Sequence, residues 1–155
     1  MNGNTKMTAE AVADELSAEL IEIKPVKEYP DKGFRKFIWG GKSAVMAETP
    51  KLQPYEFRAD EYERIIFGFP VWASNVAPPI RTFVQENREA LQNKQIAAFT
   101  CQSGNGGEKA CAKLAKCLGQ ESLTPTVVLI DPKTRPKPEN ESGRDPFRCF
   151  CLSAR

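Results

Sequence analysis

Within residues 60–79, Ile65, Ile66 and Phe67 form a short apolar run, which Gly68, Pro70, Trp72, Ser74, Pro78 and Pro79 then break. A run this short, closed by turn formers and followed by a helical pattern, reads as a buried strand, a loop and a helix. In a doubly wound sheet, ligands sit in such loops, at the carboxyl ends of the central strands. Trp72 stands in this loop, where its indole offers a face for a planar ring to stack on. The alternative for Trp72 is a core tryptophan at the end of a strand.

The rest of the chain repeats the same alternation. Ala9, Val12, Ala13, Leu16 and Leu20 share one helical face, and Asn4 or Thr5 can cap that helix. The Gly-Asn-Thr turn before it offers free N–H groups, a hydroxyl and the positive end of the helix dipole, a set that suits a phosphate. On these residues alone it reads first as a helix cap. Residues 19–24 are a second strand candidate, stopped at Pro25. In the irregular section 26–53, Phe34, Phe37 and Ile38 suggest a short helix ended at Gly40 and Gly41, with Trp39 off its stripe as a packing residue.

After the 60–79 unit, Ile80, Phe83, Val84, Asn87 and Leu91 line a helix with Pro79 in its first turn. Residues 95–100 form the next buried strand, followed by the loop CQSGNGG. The helix after that loop turns Cys111, Leu114, Ala115 and Leu118 inward and stops at Gly119. Residues 123–130 are a last strand, and Pro125 within it predicts an edge position. Strand and helix in alternation predict an α/β fold with a parallel sheet. Residues 131–155 show several prolines, many charges and no amphipathic helix. Cys149 and Cys151 there form a lone C-x-C, read as unpaired tail thiols.

Composition narrows the chemistry. At 155 residues the chain is one domain's worth, and 41% hydrophobic with 27% charged residues is ordinary for a globular protein. The net charge of +2 is interspersed, so no nucleic-acid or membrane-surface partner is implied. Without an apolar run of membrane-helix length or a signal peptide, a cytoplasmic location is expected. The chain has five cysteines and no histidine. An odd cysteine count fits a disulfide framework poorly. The absence of histidine removes the Ser-His and Cys-His pairs and most zinc sites. Any chemistry is therefore expected from a bound cofactor, with no catalytic side chain and no metal.

GNTK before the first helix, GFPVWASNVAPP after the 65–67 strand, and FTCQSGNGGEK after the next strand together resemble the flavodoxin-like family. The likeness is to its short bacterial members, over about residues 2–131. It implies a three-layer α/β sandwich with a parallel sheet, and FMN as cofactor. Asn2, Gly3, Asn4 and Thr5 would hold the FMN phosphate, with Asn2 where the family often has Thr or Ser. Pro70, Val71, Trp72 and Ala73 would line one side of the flavin, and Cys101, Gln102, Ser103, Gly104, Asn105 and Gly106 the other. For Cys101 the residues alone favour a small buried side chain. Glycines in that third loop would let backbone approach the ring.

The resemblance also implies departures. The family's first strand, which precedes the Gly-Asn-Thr turn, is expected to be missing from this chain, and the family's last helix has no visible counterpart. Residues 1–131 would form an N-terminally truncated flavodoxin-like domain and 132–155 an irregular tail. The implied function is electron transfer or flavin-dependent reduction, as an electron carrier or FMN-dependent oxidoreductase. Its partner would be a redox protein or a small-molecule electron acceptor, and a homodimer is compatible with the chain. The alternative is a non-catalytic remnant that does not bind FMN stably, or that folds only with a partner chain.

Overall fold

The structure is a computed structural model and describes residues 3–27, 48–134 and 146–154. Asn2 and the expected helix around Phe34, Phe37 and Ile38, with Trp39, Gly40 and Gly41, lie outside those residues. The described elements are helix α1 (Asn4–Leu16), a 3₁₀ turn (Ala59–Glu61), strand β1 (Arg64–Pro70), helix α2 (Pro78–Glu86), strand β2 (Gln95–Gln102), helix α3 (Gly107–Leu118), strand β3 (Thr126–Ile130) and helix α4 (Pro146–Ser153).

The three strands form one parallel sheet in the order β1-β2-β3. Ile65 pairs with Ile96 and Phe69 with Thr100, and on the other side Phe99 pairs with Val127. β2 is thus the central strand and buries six successive residues. β3 is an edge among the described strands, but it begins at Thr126, so Pro125, expected inside a strand of residues 123–130, precedes it.

Successive strand side chains point to opposite faces, and each face has its own helices. Phe67, Phe69, Ile96 and Ala98 face α2 and α3, where Phe83, Val84, Leu114 and Ala115 meet them, with Leu91 from the turn beyond α2, which ends at Glu86 instead of reaching Leu91. Phe83 anchors that layer, its ring centroid 5.0 Å from Phe57, 5.3 Å from Tyr55 and 6.0 Å from Phe67. Ala97, Phe99 and Cys101 point the other way, onto Val12 of α1 and Phe150 and Cys151 of α4, with Ile66, Val127 and Leu129 alongside. The sheet is parallel, as the alternation predicts, and the result is the three-layer α/β sandwich that the resemblance implies.

Several expectations change. β1 runs through Gly68 to Pro70 instead of ending at Phe67. A Cβ on Gly68 would stand 2.1 Å from Cζ of Phe99, so the absent side chain is filled by a ring from the neighbouring strand. Residues 19–24 do not join the sheet. An isolated antiparallel bridge forms just after them, between Pro25 and Leu52, and Leu20 is 49% exposed, beyond the end of α1. The C-terminal stretch is not irregular throughout. α4 buries Phe150 and Cys151 against the sheet, so the C-x-C thiols belong to a packed helix. Phe147, Phe150 and Cys151 recur at helical spacing, but Pro146 masks the pattern by sitting at the helix start, where proline is tolerated.

Candidate functional site

At their carboxyl ends β1 and β2 pass into loops that lie beside the N-terminus of α1. Together they open into a cleft of about 1370 Å³. Its near end is lined by Gly3, Asn4 and Thr5 from the first turn, Pro70, Val71, Trp72 and Ala73 from the second loop, and Cys101, Gln102, Ser103 and Gly104 from the third. The cleft then runs along the outer edge of β1, between that strand and α1. Eleven of the fourteen residues singled out from the sequence therefore meet in one cleft. Asn2 lies outside the described residues, and Asn105 and Gly106 are not on the wall.

The first turn leaves backbone donors uncapped. Gly3 caps α1 in a left-handed conformation (φ +73°), and no side chain caps the helix. Met7 N–H is the first to reach back, to the Gly3 carbonyl at 3.0 Å. The N–H groups ahead of it are the ones a helix leaves without an intrahelical acceptor. Asn4 and Thr5, the caps expected from the sequence, are not used as caps. The Asn4 side chain instead donates Nδ2–H to Asp131 Oδ1 (3.4 Å) and accepts at Oδ1 from the Lys133 N–H (3.1 Å). Asp131 Oδ1 also accepts from the Ser103 hydroxyl at 2.6 Å. One carboxylate thus ties the first turn, the third loop and the end of β3 together. In the sequence Asp131 was legible only as the first residue after the last strand.

The second and third loops are locked to each other. Gly106 (φ +97°) leaves only 2.1 Å between its missing Cβ and Ser74 Oγ, so its lack of a side chain serves the approach of the loops rather than approach to a ring. Asn75 donates to the Ala73 carbonyl at 2.8 Å and accepts from the Lys113 ammonium of α3. Trp72, half-buried, closes its own turn by accepting the Asn75 N–H at 3.0 Å. Gln102 Oε1 accepts the Gly107 N–H at 2.8 Å and so holds the start of α3. Gly104 is open, with nothing within 4 Å of a Cβ placed on it.

Cys101 lines the cleft but is buried, its Sγ 3.7 Å from the Thr8 hydroxyl. Burial pushes its thiol up, opposed by the hydroxyls of Thr8 and Thr5. A thiol held protonated is a poor nucleophile, in keeping with its reading as a packing residue. The residues at the near end fit a ligand with a ring and an anionic tail: the first turn offers uncapped amides with a hydroxyl, and Trp72 and the open Gly104 line the same cleft.

A three-layer sandwich with its cleft at the carboxyl ends of parallel strands defines a flavodoxin-like α/β protein. The flavodoxin family's sequence profile matches residues 1–139, and the chain belongs to that family. Among solved structures it is similar to a flavoprotein from Lactobacillus acidophilus NCFM in complex with FMN, with 20% identity and a TM-score of 0.69 over 85% of this chain and 89% of that one. It is also similar to a putative flavoprotein from Bacteroides eggerthii (16% identity, TM-score 0.68, 97% and 87% covered). A third, from Bacteroides uniformis, shares 20% identity at a TM-score of 0.68, with 83% and 84% covered. No curated protein sequence matches the chain. At these identities the structures establish the fold, and the family match agrees with it.

Proposed function

We propose that this chain binds FMN at the near end of the cleft and acts in electron transfer or flavin-dependent reduction. One observation carries the reading. The uncapped first turn of α1, the Trp72 loop and the Ser103–Gly104 loop converge at the carboxyl ends of adjacent parallel strands. The FMN complex of the similar Lactobacillus flavoprotein supports it. When bound, the flavin supplies the redox chemistry, and the protein supplies position and electrostatics. The first-turn amides and the Thr5 hydroxyl would hold the phosphate, and the Trp72 and Ser103–Gly104 loops would hold the ring. The chain has no histidine to act as a general base, so no side chain here is assigned a proton-transfer step.

A redox protein or a small-molecule acceptor would take the electrons, in the cytoplasm, without a nucleic-acid or membrane partner. Among the described residues no helix is long and apolar enough to cross a membrane. Titrating the protein into FMN and following quenching of flavin fluorescence tests the reading. Binding is expected, and its absence at about tens of micromolar, a free energy near 6 kcal/mol, would remove this function from the chain.

One observation favours a second reading. The outer edge of β1 has no ladder partner among the described residues, and unpaired strand edges are templates for another chain. The protein would then be a remnant that folds stably only in a homodimer or with another partner. Size-exclusion chromatography and thermal melting separate the two readings. A cooperative monomeric melt that FMN raises counts against the second.

A further inference from the structure

We propose that Lys133 is a phosphate-binding residue of this site and sets its preference for a phosphorylated flavin over an unphosphorylated one. The proposal rests on the FMN reading above and adds to it a residue from outside the three loops. Three observations converge on Lys133. Its ammonium lies 3.8 Å from the position a Cβ on Gly3 would take, directly beside the left-handed cap of α1. Its own N–H is fixed to Asn4 Oδ1, and Asn4 Nδ2 is fixed to Asp131, so one side-chain amide grips the 131–133 turn at both ends. The turn is closed internally by the Thr134 N–H on the Asp131 carbonyl at 2.9 Å. The backbone that carries Lys133 is therefore anchored to the residue next to the anion-binding amides.

The other charges at this end are already engaged. Lys6, on the first turn itself, lies 3.9 Å from Glu10. The Asp131 carboxylate accepts from Ser103 and Asn4. Among the described residues no carboxylate forms an ion pair with Lys133. An ammonium beside uncapped helix amides adds a mobile point charge to a fixed set of neutral donors, the combination that favours a phosphate dianion. A flavin lacking the phosphate leaves this cation without a role, so the benefit falls on FMN alone.

The test compares wild type, Lys133→Gln and Lys133→Arg with three probes: FMN, riboflavin and inorganic phosphate. Lys133 is exposed, so neither variant disturbs the core. Lys133→Gln should weaken FMN about tenfold at low ionic strength, the scale of one hydrogen bond to a charged group. It should leave riboflavin unchanged, and the gap should narrow as salt rises. Lys133→Arg should keep most of the FMN affinity. Unchanged FMN binding in Lys133→Gln, or equal losses for FMN and riboflavin, overturns the proposal. If neither flavin binds wild type, the FMN reading falls by itself, and phosphate decides Lys133. Amide shifts at residues 4–6 that inorganic phosphate causes in wild type and that weaken in Lys133→Gln uphold the residue as an anion ligand. Equal shifts, or none in wild type, remove it.

Discussion

Trp72 and Thr5 line the same cleft but offer different things to a ligand. An aromatic pair adds about 0.5–1.5 kcal/mol beyond the area it buries, and the indole also shields a ring face from water. A single neutral hydrogen bond contributes a net of about 0.5–1.5 kcal/mol, and the Thr5 hydroxyl also lies against the Cys101 thiol. Trp72→Ala is therefore predicted to weaken FMN binding more than Thr5→Ala, and to shift the potential of the bound flavin. Equal effects in fluorescence titrations, or a worse Thr5→Ala, would make Trp72 a packing residue. A second residue-scale prediction concerns Cys111, whose thiol burial pushes up to about 11 from 9.0, with Glu108 adding to the rise and Thr100 opposing it. Above 9 the unfolded thiol loses its proton while the folded one keeps it, so the unfolded state gains as pH rises toward 11. Burial moves Cys101 in the same direction. Denaturant midpoints should fall across that window, and the fall should be shallower in Cys111→Ala. An identical slope would mean that Cys111 plays no part in it.

At the scale of elements, β1 shows how one missing side chain can be structural. Gly68→Ala would drive a methyl into the Phe99 ring, with 2.1 Å between the Cβ and Cζ. Overpacking of this kind costs about 1–3 kcal/mol. Gly68→Ala should lower the melting midpoint, and combining it with Phe99→Leu should cost less than the two changes summed, because the contact is shared. Strict additivity would show that the strand shifts to make room instead. The same position shows where the sequence was readable and where it was not. The helices of residues 78–86 and 107–118 were legible because Phe83, Val84, Leu114 and Ala115 recur at helical spacing, and the loops because Gly and Pro punctuate them. Gly68 read as a strand end because the ring that replaces its side chain comes from Phe99, 31 positions later in the β1–β2 register. Residues 19–24 alternate like a strand, but alternation does not supply a ladder partner. Asp131 and Lys133 were invisible as neighbours of the first turn because only the Asn4 and Ser103 contacts, made across the fold, bring them there.

For the whole molecule, the balance between the two faces of the sheet sets the margin of stability. One face is covered by α2 and α3, whereas the other depends on α1 and α4. Phe150 is 3% exposed and meets Phe99 edge-on, with ring centroids 6.3 Å apart. Arg64, at the start of β1, donates to the Ala154 carbonyl just past the end of α4, so the helix is held at a second point. Removing a buried phenylalanine costs about 3–5 kcal/mol, against a total of about 5–15 kcal/mol for a typical domain. A sheet of three described strands, open at both edges among the described residues, has little to spare, so Phe150→Ala is predicted to bring the unfolding transition close to ambient temperature. Leu152→Ala, on the same helix but 58% exposed, should melt like wild type. Thermal melts followed by near-ultraviolet circular dichroism compare the two directly. If Phe150→Ala unfolds at the wild-type midpoint, α4 does not cover the sheet in solution. The layer over Ala97, Phe99 and Cys101 would then rest on α1 alone.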